Sequence, residues 1–204
     1  MTQPFRLRRL AALVAAIVLC ASTLMRSEER GSKRDSDALK QKADAIAAFG
    51  TSASKQPRRT VVTEKELNAY LVFEAQTGLP PGVIDPSLSL IGNGRIAARA
   101  TVDLDAVRKG KNATSALDPM SYLGGKLPVT ATGILNAGNG LARLNLESAT
   151  VGGVPVPKIL LQEIVSYYSR TPGKPGGVGL DEAFALPSRI REIQVQLGQA
   201  IIIQ

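Results

Sequence analysis

The chain has 204 residues, a net charge of +8, no histidine or tryptophan, and a single cysteine. This length fits one domain with additional segments, and a hydrophobic content of 44% is typical of a globular protein. The absence of histidine excludes Ser-His and Cys-His catalysis and histidine metal sites. Because Cys20 is the one cysteine, an intramolecular disulfide is excluded as well.

Residues 1–25 have the pattern of a targeting segment. Arg6, Arg8 and Arg9 form a basic start, and the uncharged, mostly apolar run Leu10–Met25 follows. This run is shorter than the roughly 20 apolar residues of a membrane-spanning helix, and closer to the core of a signal peptide. We therefore predict export across the cytoplasmic membrane to an extracytoplasmic or periplasmic location. Cleavage and retention as an N-terminal anchor helix both stay open.

Residues 26–59 are rich in mixed charge. They predict a weakly amphipathic helix that ends at Gly50, followed by a polar linker over 51–59. We place the domain boundary in this linker and predict a domain over 60–204.

The stretch Val61–Gln76 predicts the helix around which the domain is organised. Thr63 and Glu66 have the spacing of a capping box, in which each side chain binds the free backbone N–H of the other residue. Apolar side chains then cover a wide arc of the helix, so it needs cover on most sides.

A Gly-Asn-Gly turn at 92–94 separates two alternating segments, Ser87–Ile91 and Arg95–Leu104. This is the strongest hairpin signal in the chain. In the second segment the apolar side chains share one face, as expected of an antiparallel sheet that is covered on one side; they are Ile96, Ala98, Ala100, Val102 and Leu104.

A second hairpin is predicted from Leu127–Leu135 and Leu141–Val151, followed by a helix over Lys158–Ser169. The end of the chain, Ile193–Gln204, predicts a paired and buried strand with a bulge at Gly198. Together these elements predict an α+β fold in which two apolar helices pack on a curved antiparallel β-sheet.

Small residues lie on the apolar strand faces opposite the two helices, namely Ala98, Ala100, Ala131 and Gly133. They could leave a cleft for an acyl chain, or they could let helix and sheet pack closely with no void. The side chains that we predict to line such a cleft are Leu67, Tyr70, Leu71, Phe73, Leu160, Ile164 and Tyr168.

Four short motifs resemble those of a bacterial envelope family. They are TEKELNAYL at Thr63–Leu71, DPSLSL at Asp85–Leu90, VDLD at Val102–Asp105 and LESATVGGVPVP at Leu146–Pro157. The family is that of tubular-lipid-binding proteins, and the layout is similar to that of mycobacterial phospholipid-binding proteins linked to mannan elongation. The resemblance implies a long helix held by a curved sheet, with an apolar groove for lipid and no catalytic residues.

The basic residues are scattered along the sequence and lack interleaved aromatic residues, so nucleic-acid binding is not expected. Attraction to anionic lipid head groups is the simpler interpretation for an exported basic domain; the residues concerned are Arg58, Arg59, Lys109, Lys111, Lys158, Arg170, Lys174, Arg189 and Arg191.

We therefore predict a non-catalytic envelope protein that binds a lipid or another apolar small molecule, without cofactor or metal. Two alternatives stay open. One is an interaction or scaffold domain with a solid core, which recruits envelope partners through its sheet edges. The other is a hydrolase that uses carboxylates alone, such as Asp181 and Glu182, although adjacent acids on a strand point apart.

Overall fold

The structure is a computed structural model that describes residues 31–54, 56–79, 82–106, 124–168, 170 and 173–204. The predicted signal or anchor segment 1–25 lies outside these residues. Among the helices in the described ranges, none is both long enough and apolar enough to cross a membrane. The fold is α+β with antiparallel sheets, as predicted.

The helices are α1 (Lys33–Thr51), α2 (Glu64–Phe73), a short 3₁₀ helix (Ala75–Gly78) and α3 (Lys158–Tyr168). The strands are β1 (Arg59–Thr63), β2 (Val83–Gly92), β3 (Arg95–Asp103), β4 (Lys126–Gly138), β5 (Leu141–Val151), β6 (Val154–Pro155), β7 (Phe184–Ala185), β8 (Glu192–Gln196) and β9 (Gln199–Ile203).

These strands form two sheets rather than the single predicted sheet. A three-stranded sheet has the order β1-β9-β8, and a six-stranded sheet has the order β2-β3-β4-β5-β6 with β7 paired to β5. A bridge between Ile91 and Leu197 joins them. Leu90, Val195 and Ala200 form a buried core from both sheets.

Both predicted hairpins are confirmed, and their turn residues explain why they were predictable. Asn93 and Gly94 have φ angles of 53° and 78°, and Asn139 and Gly140 have φ angles of 54° and 78°. Two consecutive left-handed residues match the right-handed twist of the flanking strands, and Asn-Gly adopts them most readily.

The end of the chain is a hairpin and not the predicted single bulged strand. Gly198, at a φ angle of 71°, turns the chain between β8 and β9. The prediction that the last strand is paired and buried is confirmed, because β9 lies between β1 and β8. Ala200 and Ile201 are each only 8% exposed.

Within the stretch Val61–Gln76 the helix begins after Thr63, the predicted N-cap, and ends at Phe73, where a 3₁₀ helix follows; the residues before the cap belong to strand β1. The predicted capping box is confirmed. The Glu66 amide donates to Thr63 Oγ1 at 3.2 Å, and the Thr63 amide donates to Glu66 Oε2 at 2.9 Å. A second capping box, formed by Ser32 and Asp35 at the start of α1, was not predicted.

Helix α1 packs against helix α2 and buries Leu39 and Ile46. Both helices belong to the compact unit Gly31–Gln204. The polar segment 51–59 therefore connects elements of one unit. The composition of this segment indicated a linker between domains. It could not show that α1 packs against α2, because that contact joins residues on either side of the segment.

Lys42 and Glu66 form the most buried ion pair between α1 and α2, with Lys42 Nζ at 2.6 Å and 2.7 Å from the two carboxylate oxygens. Burial raises the pKa of Glu66, but hydrogen bonds from Lys42 and from the Thr63 amide lower it by more, so the net pKa lies below its ordinary value of 4.5. Lys33 and Lys40 contact Glu74 at a more exposed position.

We expect the Lys42→Met variant to lose about 1–2 kcal/mol of unfolding free energy at pH 7, because Glu66 is left without its charged partner. A carboxylate with a lowered pKa stabilises the fold above its unfolded-state pKa, and this contribution is lost as pH falls through the folded-state value. The difference between wild type and variant, measured by urea denaturation, should therefore shrink below pH 4.5.

The matched control is Lys40→Met, which removes an exposed lysine whose contact with Glu74 is 3.8 Å. It should change stability by less than about 0.5 kcal/mol. A Lys42→Met penalty that is equal to the control, or that persists unchanged at acid pH, would contradict the assigned role of the ion pair.

Candidate functional site

The side chain of Asn68 fixes helix α2 beside the edge strand β2. Its Nδ2 donates to the Leu88 carbonyl at 2.9 Å, and the Leu88 amide donates to Asn68 Oδ1 at 2.7 Å. One turn earlier, Glu64 Oε2 accepts a hydrogen bond of 2.6 Å from the Leu90 amide. These side chains take the place of a neighbouring strand and pair backbone groups that an edge strand otherwise leaves free.

Strand β2 has an irregular register between Ile84 and Ser87. Asp85 has a φ angle of 48°, and Pro86 follows it. Proline has no amide hydrogen and is tolerated at edges and bulges. Pro86 and Ser87, at this irregularity, line a groove beside helix α2.

The groove lies between α2 and strands β2, β3 and β4, and its volume is about 310 Å³. We call it the apolar groove. Its apolar lining residues are Leu71, Pro86, Leu88, Ala98, Ala100, Val129 and Ala131. Ser87 and Arg99 complete the described lining.

Cross-strand register explains why the groove is open. Leu88 pairs with Ala98, which pairs with Ala131, so alanines from two adjacent strands form the floor. A methyl group reaches only a short distance from the sheet, and Ala98 stays exposed on the face toward α2. At these alanines the structure has an open groove between helix and sheet.

Gly133 follows the other alternative, close packing without a void. It is buried, and a Cβ atom at this position would lie 2.7 Å from the Asn145 carbonyl oxygen. Its cross-strand neighbour Ile96 packs against the core instead of the groove. Small residues on this sheet thus serve two different purposes.

The seven side chains predicted to line the cleft are found in different places. Leu71 lines the apolar groove, Leu67 packs against the core, Tyr70 is half-buried, and Phe73 is 46% exposed. Leu160 is 51% exposed on helix α3. Ile164 and Tyr168 belong to helix α3, and the structure describes their backbone but not their side chains.

Among the described lining residues, α3 contributes none to the apolar groove, and its described contacts are with β5 and with the segment 178–181. The two apolar helices therefore do not share this groove in the part of the chain that is described. Sequence reasoning missed Leu88 and Val129, which the register of the two hairpins could have placed beside Ala98 and Ala100.

The carboxylates considered for hydrolysis are engaged in exposed ion pairs. Asp181 lies 2.7 Å from Lys158 Nζ, and Glu182 lies 2.6 Å from Lys174 Nζ. The hydrogen bond from Lys174, with a further one from the Gly179 amide, lowers the pKa of Glu182. A general acid needs a raised pKa, so this environment is the opposite of what the chemistry requires.

The carboxylates of Asp103 and Asp105 both accept hydrogen bonds from backbone amides. Asp103 Oδ1 accepts hydrogen bonds of 3.0 Å from the amides of Asp105 and Ala106. Within the described ranges, no three side chains of the metal-binding types come together.

Comparisons with protein-family models, with curated proteins and with solved structures find no match to this chain. The resemblance to tubular-lipid-binding envelope proteins stays a prediction.

We expect Asn68→Asp to lower the unfolding free energy by about 1–3 kcal/mol, because the new carboxylate cannot donate to the Leu88 carbonyl and is repelled by it. Urea denaturation at pH 7 measures this change. The control Asn145→Asp makes the same chemical change at an exposed position on β5 and should stay within about 0.5 kcal/mol of wild type. Equal effects of the two substitutions would contradict a docking role for Asn68.

Proposed function

We propose that this chain is a non-catalytic envelope protein whose apolar groove binds one acyl chain of a lipid, or a similar apolar molecule. The observation that supports this function is the open, alanine-floored groove between α2 and strands β2 to β4. The groove needs no cofactor for such binding, because the ligand is held by removal of apolar surface from water.

The dimensions of the groove favour a single chain. A volume of about 310 Å³ is at the lower end of the range for small-molecule sites. Each buried methylene is worth about 0.8 kcal/mol, so a chain partly buried over several methylenes can offset the cost of association. A two-chain phospholipid would leave one chain outside the groove.

Export, an extracytoplasmic location and contact with anionic head groups belong to the same proposal. They rest on the basic and apolar pattern of residues 1–25 and on the net charge of +8. The curvature of the sheet is part of the proposal as well, and the bulge in β2 supports it.

An interaction domain is the second candidate function. Exposed apolar side chains at the start of α3 favour it, since Ile159 is 77% exposed and Leu160 is 51% exposed. Partner binding by strand addition at β2 is disfavoured, because Asn68 and Glu64 occupy the edge of that strand.

The groove is tested by filling it. Ala98→Phe places a ring on the groove floor, and Ala97→Phe places the same ring on the opposite face of β3. The full chain, isolated gently from membranes, should carry lipid in native mass spectrometry in its wild-type and Ala97→Phe forms. Ala98→Phe should lose the lipid and keep its fold, as measured by circular dichroism.

A fluorescent fatty acid provides a second measurement of the same site. We expect its affinity to fall about tenfold or more in Ala98→Phe, because several methylene contacts are lost. Wild-type protein without lipid and without affinity for the fatty acid would contradict the proposal, as would equal affinities of the two phenylalanine variants.

A further inference from the structure

A second cavity, of about 580 Å³, lies near the last turn of α1, the β4–β5 turn, the segment before β8 and the residue after β9. We call it the arginine pocket. The lining residues that matter here are Phe49, Asn139, Arg189, Ile190, Arg191 and Gln204. It shares no described lining residue with the apolar groove.

Backbone hydrogen bonds hold one wall of the arginine pocket against the β4–β5 turn. The Gly140 amide donates to the Arg191 carbonyl at 2.9 Å, and the Leu186 amide donates to the Gly140 carbonyl at 2.8 Å. Between them, Ser188 and Arg189 have φ angles of 54° and 57°, which non-glycine residues seldom adopt in succession. The backbone that carries the arginines is therefore fixed by the fold.

Two guanidinium groups contact the ring of Phe49. The Arg58 and Arg189 guanidinium carbons lie 5.7 Å and 5.8 Å from the ring centroid, within the range of cation–π contacts. Arg189 also donates to the carbonyls of Ser52 and Ser54, at 2.6 Å and 2.8 Å. These contacts hold the Arg189 side chain in place through uncharged groups.

The described lining of the arginine pocket holds two arginines and no aspartate or glutamate side chain. Arg191 donates to the Gln204 main-chain oxygen at 3.2 Å, and in the described ranges no aspartate or glutamate side chain pairs with Arg58, Arg189 or Arg191. Each guanidinium has five N–H donors, so donors remain for a ligand. Fixed guanidinium donors are suited to carboxylate and phosphate groups.

The Gln204 side chain braces the wall of the same pocket. It is 5% exposed, and its Nε2 donates to the carbonyls of Ile46 and Ser188 at 2.9 Å and 2.6 Å. Its Oε1 has no hydrogen-bond partner in the described part of the structure. That oxygen is itself closed off from solvent, so the contribution of Gln204 to the pocket is to hold the wall between α1 and the segment before β8.

We propose that the arginine pocket binds the carboxylate or phosphate group of a small anion or of a lipid head group, with Arg189 and Arg191 as donors. Ile190 provides an apolar wall beside the charged group. This site is independent of the apolar groove, so the failure of either proposal leaves the other in place.

The test uses the full chain with two probes, inorganic phosphate and phosphatidylcholine vesicles that contain phosphatidylglycerol. Phosphate is titrated while the amide signals of Gly140, Ile190 and Arg191 are followed by NMR. We expect saturable shifts, with an affinity about tenfold weaker in Arg191→Gln, because a charge-assisted hydrogen bond is lost. The control Arg34→Gln removes an equal charge from an exposed position in the first turn of α1 and should bind as wild type does.

Vesicle sedimentation distinguishes the two sources of the anion. Vesicle binding that falls in Arg191→Gln and not in Arg34→Gln assigns the site to a head group, whereas saturable phosphate binding alone assigns it to a free anion. Arg191→Lys keeps the charge and should weaken binding less than Arg191→Gln, which controls for misfolding. Absence of saturable phosphate binding together with equal vesicle binding by Arg191→Gln and Arg34→Gln would overturn the proposal, as would equal phosphate affinities of these variants.

Discussion

The pair of hydrogen bonds between the Asn68 side chain and the Leu88 backbone sets the position of helix α2. Hydrogen bonds are directional, whereas hydrophobic contact is not, so apolar attraction alone would let the helix settle wherever it buried most surface. The capping box at Thr63 fixes the start of the same helix directly after β1. With both points fixed, α2 cannot move down onto the alanines, and the apolar groove stays open.

One face of the six-stranded sheet contributes both to the core and to the floor of the apolar groove. Near Leu90 and Ile96 the side chains are long enough to meet the helix and the second sheet, and the space is filled. Two pairs further along the register, and on the same face, Ala98 and Ala131 stop short of the helix. The difference is side-chain length at neighbouring positions on one face of the sheet.

Local chemistry determined what could be predicted from the sequence. Asn-Gly turns and the Thr63–Glu66 capping box depend on residues close in sequence, and the structure has all of them. The C-terminal hairpin was missed because Leu197–Gly198 is a weak turn signal. The docking of Asn68 on Leu88 was missed because Asn68 had no local partner to reveal it; a polar residue within an apolar helix was the only signal.

The arginine pocket was beyond prediction for the same reason. Arg58 and Arg189 are distant in sequence and look like scattered surface charge, yet both lie on the ring of Phe49. In both cavities the groups that would meet a ligand are already held by the protein, by backbone carbonyls for Arg189 and by the sheet register for the alanines. Such groups lose little conformational entropy on binding, so an open groove and an exposed charged pocket can still be selective.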